Sequence, residues 1–303
     1  MRDIKNFNDL VALLKERKQR KRVAVVCGYD PSTQQSVMKA LESEIIDAIF
    51  VGRREEVEKI EGLSNYADHI SFVEADDLDD AARQAVTLVR ENKADILMKG
   101  LIGSDKVLRA VLNKEYGILN RPAVLTHVAM TMIDGIDRPI FYTDAAVIPF
   151  PTQEQREQQV KYLANICHAI GIEEPRISLI HCSEKADAKN FPYTEGYEVI
   201  INKAQNGEYG RCIVGGPLDV KTSLCRESML NKGIKSPIDG KADVLIFPNI
   251  EAANTFHKTI TLFCHANVAC ILQGTTAPVV LPSRSDDAIS KFYSLAFAAL
   301  TVK

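Results

Sequence analysis

An apolar run, "APVVLP", ends at Ser283 and is followed at once by Arg284, Ser285, Asp286 and Asp287. A guanidinium forms paired, charge-assisted hydrogen bonds with phosphate or carboxylate oxygens. A hydroxyl can donate to a developing oxyanion, and a carboxylate can take a proton. Together these types suit the handling of an anion. They suit equally a strand exit with the cap of a following helix. A second such stretch is "KGLIGSDKVLRAVL". Lys99, Gly100 and Gly103 lie where the backbone must turn closely, and Ser104 is placed to cap a helix running through Leu108 and Arg109. A glycine-containing turn entering a helix offers N–H groups to an anion. The spacing is neither a P-loop nor GxGxxG, so a plain turn with an N-cap is the competing account.

Other positions combine chemistry with an unusual setting. Asp144 sits inside the apolar "IFYTDAAVI", so its carboxylate must be paired, hydrogen-bonded or functional. Gly215, Gly216 and Pro217 leave a strand, which fits a tight turn or the close approach of a ligand. Glu251, Asn254 and Lys258 recur at helical spacing and share one face, solvated or ligand-facing. His127 and His181 lie on or at the end of apolar runs, where a satisfied core histidine is the commoner case. The histidines form no HExxH and no other strong metal spacing, and no GxSxG elbow signals a hydrolase.

The elements that must position these groups are legible as alternation. Eleven apolar runs read as strands: 22–28, 47–52, 70–75, 94–100, 122–130, 140–148, 176–182, 212–216, 243–249, 268–274 and 277–283. Amphipathic segments lie between them. "DDLDDAARQAVTLVREN" has an acidic start and an apolar stripe at Leu78, Ala81, Ala82, Ala85, Val86, Leu88 and Val89. Continuous apolar strands alternating with helices predict an α/β protein with mainly parallel sheets covered on both faces. The basic run Lys15 to Arg22 reads as the end of the first helix, solvated and facing the negative dipole end. A net charge of -3 gives no reason to expect nucleic acid or an anionic membrane as partner. The start of the chain lacks a signal-peptide pattern, and no window is apolar enough to span a membrane. Seven scattered cysteines without a CxxC read as reduced thiols in a cytoplasmic protein.

Taken together, "ADILMKGLIGSDKVLRAVL", "LTHVAM", "TDAAVIPFPT", "SEKADAKNFP", "GGPLDV", "GIKSPIDGKADVLIFPNIEAANTFHK" and "APVVLPSRSDDAISKFYSLAFA" resemble the phosphate acyltransferase family, nearer its butyryl branch than its acetyl branch. The resemblance implies reversible transfer of a short acyl group between CoA and inorganic phosphate in a ternary complex. It implies no permanently bound cofactor and no metal: acyl-CoA thioester and phosphate are substrates only. It implies a two-lobed fold of the isocitrate/isopropylmalate dehydrogenase type, and a homodimer or larger homo-oligomer. One lobe is then expected over 1–139 and 277–303, the other over 140–276, with the active site in the cleft. By the same resemblance Ser283 and Arg284 are catalytic, the serine at the oxyanion or leaving group and the arginine at the phosphate. Arg109 is linked with CoA, and the loop Lys99 to Ser104, including Gly100, with phosphate or CoA. His127, Asp144, Glu251, Asn254 and Lys258 complete the expected substrate-binding set.

The departures concern the base and three motif positions. The acetyl branch's carboxylate position holds Ser290, whereas the butyryl branch's aspartate falls on Asp286, leaving Asp287 to cap the last helix. Asn249, Ala253 and Lys221 stand where the butyryl branch commonly has aspartate, glycine and aspartate. Three alternatives remain: phosphate acetyl transfer, a nicotinamide-dependent dehydrogenase on the same fold, and a non-catalytic CoA-binding relative.

Overall fold

A computed structural model describes residues 4–119, 122–283 and 286–302. The chain divides into two units, Asn6–Leu125 with Val268–Lys303, and Thr126–Asn267.

The first unit starts with α1 (Phe7–Glu16), β1 (Lys21–Val26), α2 (Pro31–Glu42), β2 (Ile46–Gly52), α3 (Arg54–Val57), β3 (Ile70–Glu74), α4 (Leu78–Arg90), β4 (Ile96–Lys99) and α5 (Ser104–Val111). The second holds β5 (Thr126–Met132), β6 (Ile140–Thr143), α6 (Gln153–Ala169), β7 (Arg176–Ile180), α7 (Tyr197–Gln205), β8 (Ile213–Leu218), α8 (Val220–Leu224), α9 (Arg226–Asn231), β9 (Val244–Ile246) and α10 (Ile250–Phe263). The chain then returns to the first unit through β10 (Asn267–Gln273), β11 (Val279–Val280) and α11 (Ala288–Thr301).

In the first unit the strand order is β3-β2-β1-β4-β11-β10. Every neighbouring pair is parallel except β10 with β11, which pair antiparallel at Leu272 and Val279. In the second it is β5-β6-β9-β7-β8, with only β5 and β6 antiparallel. The continuous apolar runs explain this arrangement. Val23, Ala24, Val25 and Val26 of β1 have no exposed surface, so both faces of that strand must be covered. Helix α4 packs against β1 and β2, while α11 packs on β11 and α2. Each fully buried valine contributes about 1.5–3 kcal/mol relative to exposure.

All eleven expected strands are present, with trimmed or shifted ends. β6 stops at Thr143, so Asp144 lies beyond the strand, because its carboxylate curls the next residues into a turn. The stripe on α4 buries Ala81, Ala82, Ala85, Val86 and Val89, but Leu78 is 41% exposed. Leu78 opens the helix, where a side chain lies over the turn before it instead of over the sheet. The basic run does end α1, at Glu16, but it is not simply solvated. Lys21 and Arg22 belong to β1, and Arg22 Nη2 pairs with Asp95 Oδ1 at 2.7 Å. Among the described residues, no helix is long and apolar enough to cross a membrane.

Candidate active site

In open parallel sheets the strand exits gather ligand-binding groups. In the first unit the exits of β1, β4 and β11 lie side by side. At β1 the chain bends through Cys27, whose φ is 50°, and Asp30 caps α2 by accepting from Thr33 N at 3.0 Å. At β4, Gly100 N donates to Val26 O at 2.8 Å and Leu101 N to Cys27 O at 2.7 Å. A β-carbon on Gly100 would lie 2.4 Å from Cys27 O, so only glycine lets these two exits meet. Lys99 is buried, and its Nζ donates to Pro282 O at 3.2 Å, tying the β4 exit to the β11 exit.

Ser283 is exposed at that exit. Its N–H donates to Asp286 Oδ2 at 2.8 Å, and Asp286 N returns a bond to Ser283 O at 3.2 Å. Asp287 caps α11 by accepting from Ser290 N at 2.7 Å, the cap role expected for it. Arg284 lies outside the described residues. Ser104 does not cap α5. That position is Gly103, with no side-chain cap bond, and Ser104 is the first helical residue. Arg109 is largely exposed and lies 3.8 Å from Asp105, an exposed pair of little energetic weight.

The second unit gathers a different group. Asp144 is 1% exposed and accepts four bonds: from Thr126 Oγ1 (2.8 Å), His127 N (3.0 Å), Ala146 N (2.9 Å) and Val147 N (2.7 Å). Three backbone amides and a hydroxyl therefore account for this buried carboxylate, which organises the 144–147 turn. Asn254 Nδ2 donates to Ala145 O at 3.0 Å, so α10 holds the same turn. Glu251 and Lys258 are exposed on α10, a solvated placement. Asn249 caps α10, accepting from Ala252 N at 2.9 Å; asparagine serves there as well as aspartate. Gly216, with φ +150°, fits against β7, where a β-carbon would lie 2.6 Å from Leu179 O. Packing requires that glycine.

Three features had no local signal in the sequence. Lys291, 4% exposed, donates to Asp30 Oδ1 (2.9 Å), Ser32 Oγ (2.6 Å) and Thr33 Oγ1 (3.0 Å). Burial would raise the Asp30 carboxyl, but these donors win and hold it at about 2. Tyr142 Oη lies 2.6 Å from His257 Nδ1, and burial, with repulsion from neighbouring His127 and Lys258 opposing a further proton, lowers His257 to about 4. Arg156 is buried, with Nη2 on the carbonyls of Pro151 and Pro248 and its guanidinium over the rings of Tyr193 and Tyr197. Arg156 reaches Pro248 across 92 positions, Tyr142 reaches His257 across 115 and Lys291 reaches Asp30 across 261, so spacing within a motif could not have found them.

Known proteins supply the context for this geometry. A profile of the family described as phosphate acetyl/butaryl transferase matches residues 69–299. A phosphate butyryltransferase from Clostridium beijerinckii is 36% identical over 299 residues, covering 98% of this chain and 97% of the relative. The crystal structure of a branched-chain phosphotransacylase from Enterococcus faecalis V583 is 31% identical, with a TM-score of 0.79 over 93% of this chain and 99% of that one. A 4-hydroxythreonine-4-phosphate dehydrogenase from Klebsiella pneumoniae shares 10% identity at a TM-score of 0.55, over 94% of this chain and all of the other, a likeness of fold alone. With a family match across most of its length and a full-length relative above 30% identity, this chain belongs to the phosphate acetyl/butaryl transferase family.

Proposed function

We propose that the protein transfers a short acyl group, butyryl or one of similar size, reversibly between CoA and inorganic phosphate. In the forward direction a phosphate oxygen attacks the thioester carbonyl carbon. The tetrahedral intermediate then collapses by breaking the C–S bond, releasing acyl phosphate and the CoA thiolate. The thiolate takes up a proton. Family membership supports the reaction class. The observation that carries the placement is the bond from buried Lys99 to Pro282 O, which holds the turn bearing Ser283 against the glycine-lined exit of β4.

In this reading Ser283 donates to the carbonyl oxygen or the leaving sulfur as charge develops. Arg284 holds phosphate by paired hydrogen bonds. Asp286 has Oδ2 engaged by the Ser283 N–H, so deprotonation of the CoA thiol in the reverse direction would fall to Oδ1. Lys99, Gly100, Ser104 and Arg109 would line the approach of phosphate and CoA. His127, Asp144 and Asn254 act by shaping the second unit's turn. No permanent cofactor is needed. A homodimer or larger assembly, in a cytoplasm that keeps the seven thiols reduced, fits the same reading.

The test is thiol release from acyl-CoA of two to six carbons, with and without phosphate. Phosphate-dependent release that peaks near butyryl-CoA is expected. Release that ignores phosphate, or none with any chain length, would sink the reading. Arg284→Ala should raise the KM for phosphate far more than that for acyl-CoA, and an unchanged phosphate KM would remove Arg284 from its role.

A further inference from the structure

Three large apolar side chains of the first unit are exposed among the described residues: Leu78, Leu101 and Leu112. Leu78 opens α4, and Leu112 follows the end of α5. Leu101 is 55% exposed and stands at the exit of β4, between the exits of β1 and β11. A single exposed leucine is ordinary on a protein surface and needs no ligand to account for it. Leu101 differs in where the sheet puts it and in how firmly it is held.

β11 and β4 run parallel in a register that sets Val279 beside Leu97 and Val280 beside Met98. Continued along both exits, that register brings Ser283 level with Leu101. The exits do stay side by side, because Lys99 Nζ reaches Pro282 O at 3.2 Å, one residue before Ser283. Neighbouring strands lie about 5 Å apart, which sets the scale of the separation between the two backbones. Leu101 is anchored on both sides. Its N–H donates to Cys27 O at 2.7 Å, on the β1 exit. The next residue, Ile102, is 5% exposed, and its N–H donates to Gly100 O at 2.9 Å. Cys27 and Pro282 are themselves buried. Leu101 is therefore the exposed large apolar side chain that these three exits offer among the described residues.

A short acyl chain carries no hydrogen-bonding group beyond its carbonyl, so its length can be read only by apolar contact. Phosphate, the carbonyl oxygen and the leaving sulfur are served by polar groups, and a leucine adds nothing to them. A leucine on a backbone already fixed gives its contact with little further ordering cost.

We propose that Leu101 contacts the acyl chain and sets the preference for its length. The inference rests on the acyl-transfer reading, in which Ser283 meets the thioester carbonyl or sulfur. The test compares kcat/KM for butyryl-CoA and acetyl-CoA, at saturating phosphate, in wild type, Leu101→Ala, Leu101→Val and Leu101→Met, with thermal unfolding as the control for folding. Leu101→Ala should lower the butyryl-to-acetyl ratio about tenfold, the lower end of what one methylene is worth in an apolar pocket. Leu101→Val should give an intermediate ratio. Leu101→Met keeps the apolar volume and should hold the ratio within about twofold of wild type. All three should unfold near the wild-type temperature, since the position is exposed. An unchanged ratio in Leu101→Ala and Leu101→Val overturns the inference. So does an equal fall for both substrates, which would place Leu101 against a part of CoA common to both or only in the structure of its loop. In either case phosphate-dependent release by wild type leaves the acyl-transfer reading standing. A wild-type chain that releases thiol from neither substrate in a phosphate-dependent way overturns that reading, and this inference with it.

Discussion

Replacing Lys291 with Met should expose how the start of α11 is anchored. The ammonium is 5% exposed and the Asp30 carboxylate 19%, with 2.9 Å between Nζ and Oδ1. Holding a carboxyl at about 2 instead of an ordinary 3.8 corresponds to about 2.4 kcal/mol at 1.36 kcal/mol per pH unit. Water reaches the exposed part of the carboxylate, and the Ser32 hydroxyl and the Thr33 hydroxyl and amide share the effect, so about 1–2 kcal/mol falls to Lys291. Removing one partner also strands the other charge, which costs about 3–5 kcal/mol when burial is complete and about 2–3 kcal/mol here. The folded carboxyl lies below its unfolded value, so the unfolded chain binds more protons between about pH 4 and pH 2. The stabilisation is therefore fully present above pH 4 and is lost as pH falls toward 2. The assay is urea unfolding followed by circular dichroism, since the chain has no tryptophan, for wild type, Lys291→Met, Asp30→Asn and the double variant. At pH 7 the single lysine variant should lose about 2–3 kcal/mol, and the double-mutant cycle should give a coupling above about 1 kcal/mol. At pH 2.5 most of the coupling should be gone. Equal losses at both pH values, with a coupling below about 0.5 kcal/mol, would show that Lys291 acts by packing alone.

Gly100→Ala should lower the midpoint of thermal unfolding and abolish acyl transfer together, because the new methyl must push Cys27 O and separate the β1 and β4 exits. A variant of unchanged midpoint and activity would mean that those exits tolerate separation. His257 should remain neutral down to about pH 4, with its folded value below the unfolded one, so stability is present above about pH 6.5 and declines as pH falls toward 4. Proton NMR titration of the imidazole resonances tests this, and a His257 inflection near 6.5 would contradict the buried Tyr142 contact.

Much of the fold was legible because its cause is local. Strands such as β1 are buried on both faces, so they appear as unbroken apolar runs, and all eleven could be found. Their ends were less legible where a side chain turns the backbone. The run through residues 140–148 looks like one strand, yet the Asp144 carboxylate recruits Ala146 N and Val147 N and ends it. Cap assignments divided for the same reason: Asp287 has the helix's N–H groups within reach, whereas Gly103 takes the position expected of Ser104. Leu78 fits the apolar period of α4 but sits in its first turn, so periodicity predicted burial that the path of the chain withholds.

The sequence by itself determined the alternation of elements and the family, because both reside in contiguous runs: apolar strands, and motifs such as "VVLPSRSDD" whose residues are neighbours in the chain. Tertiary structure alone decided which exits meet. Lys99 reaches Pro282, and Lys291 reaches Asp30, across separations of 183 and 261 residues. Such pairs form because parallel strands distant in sequence lie side by side, and a buried ammonium or carboxylate must find its partner wherever the fold brings one.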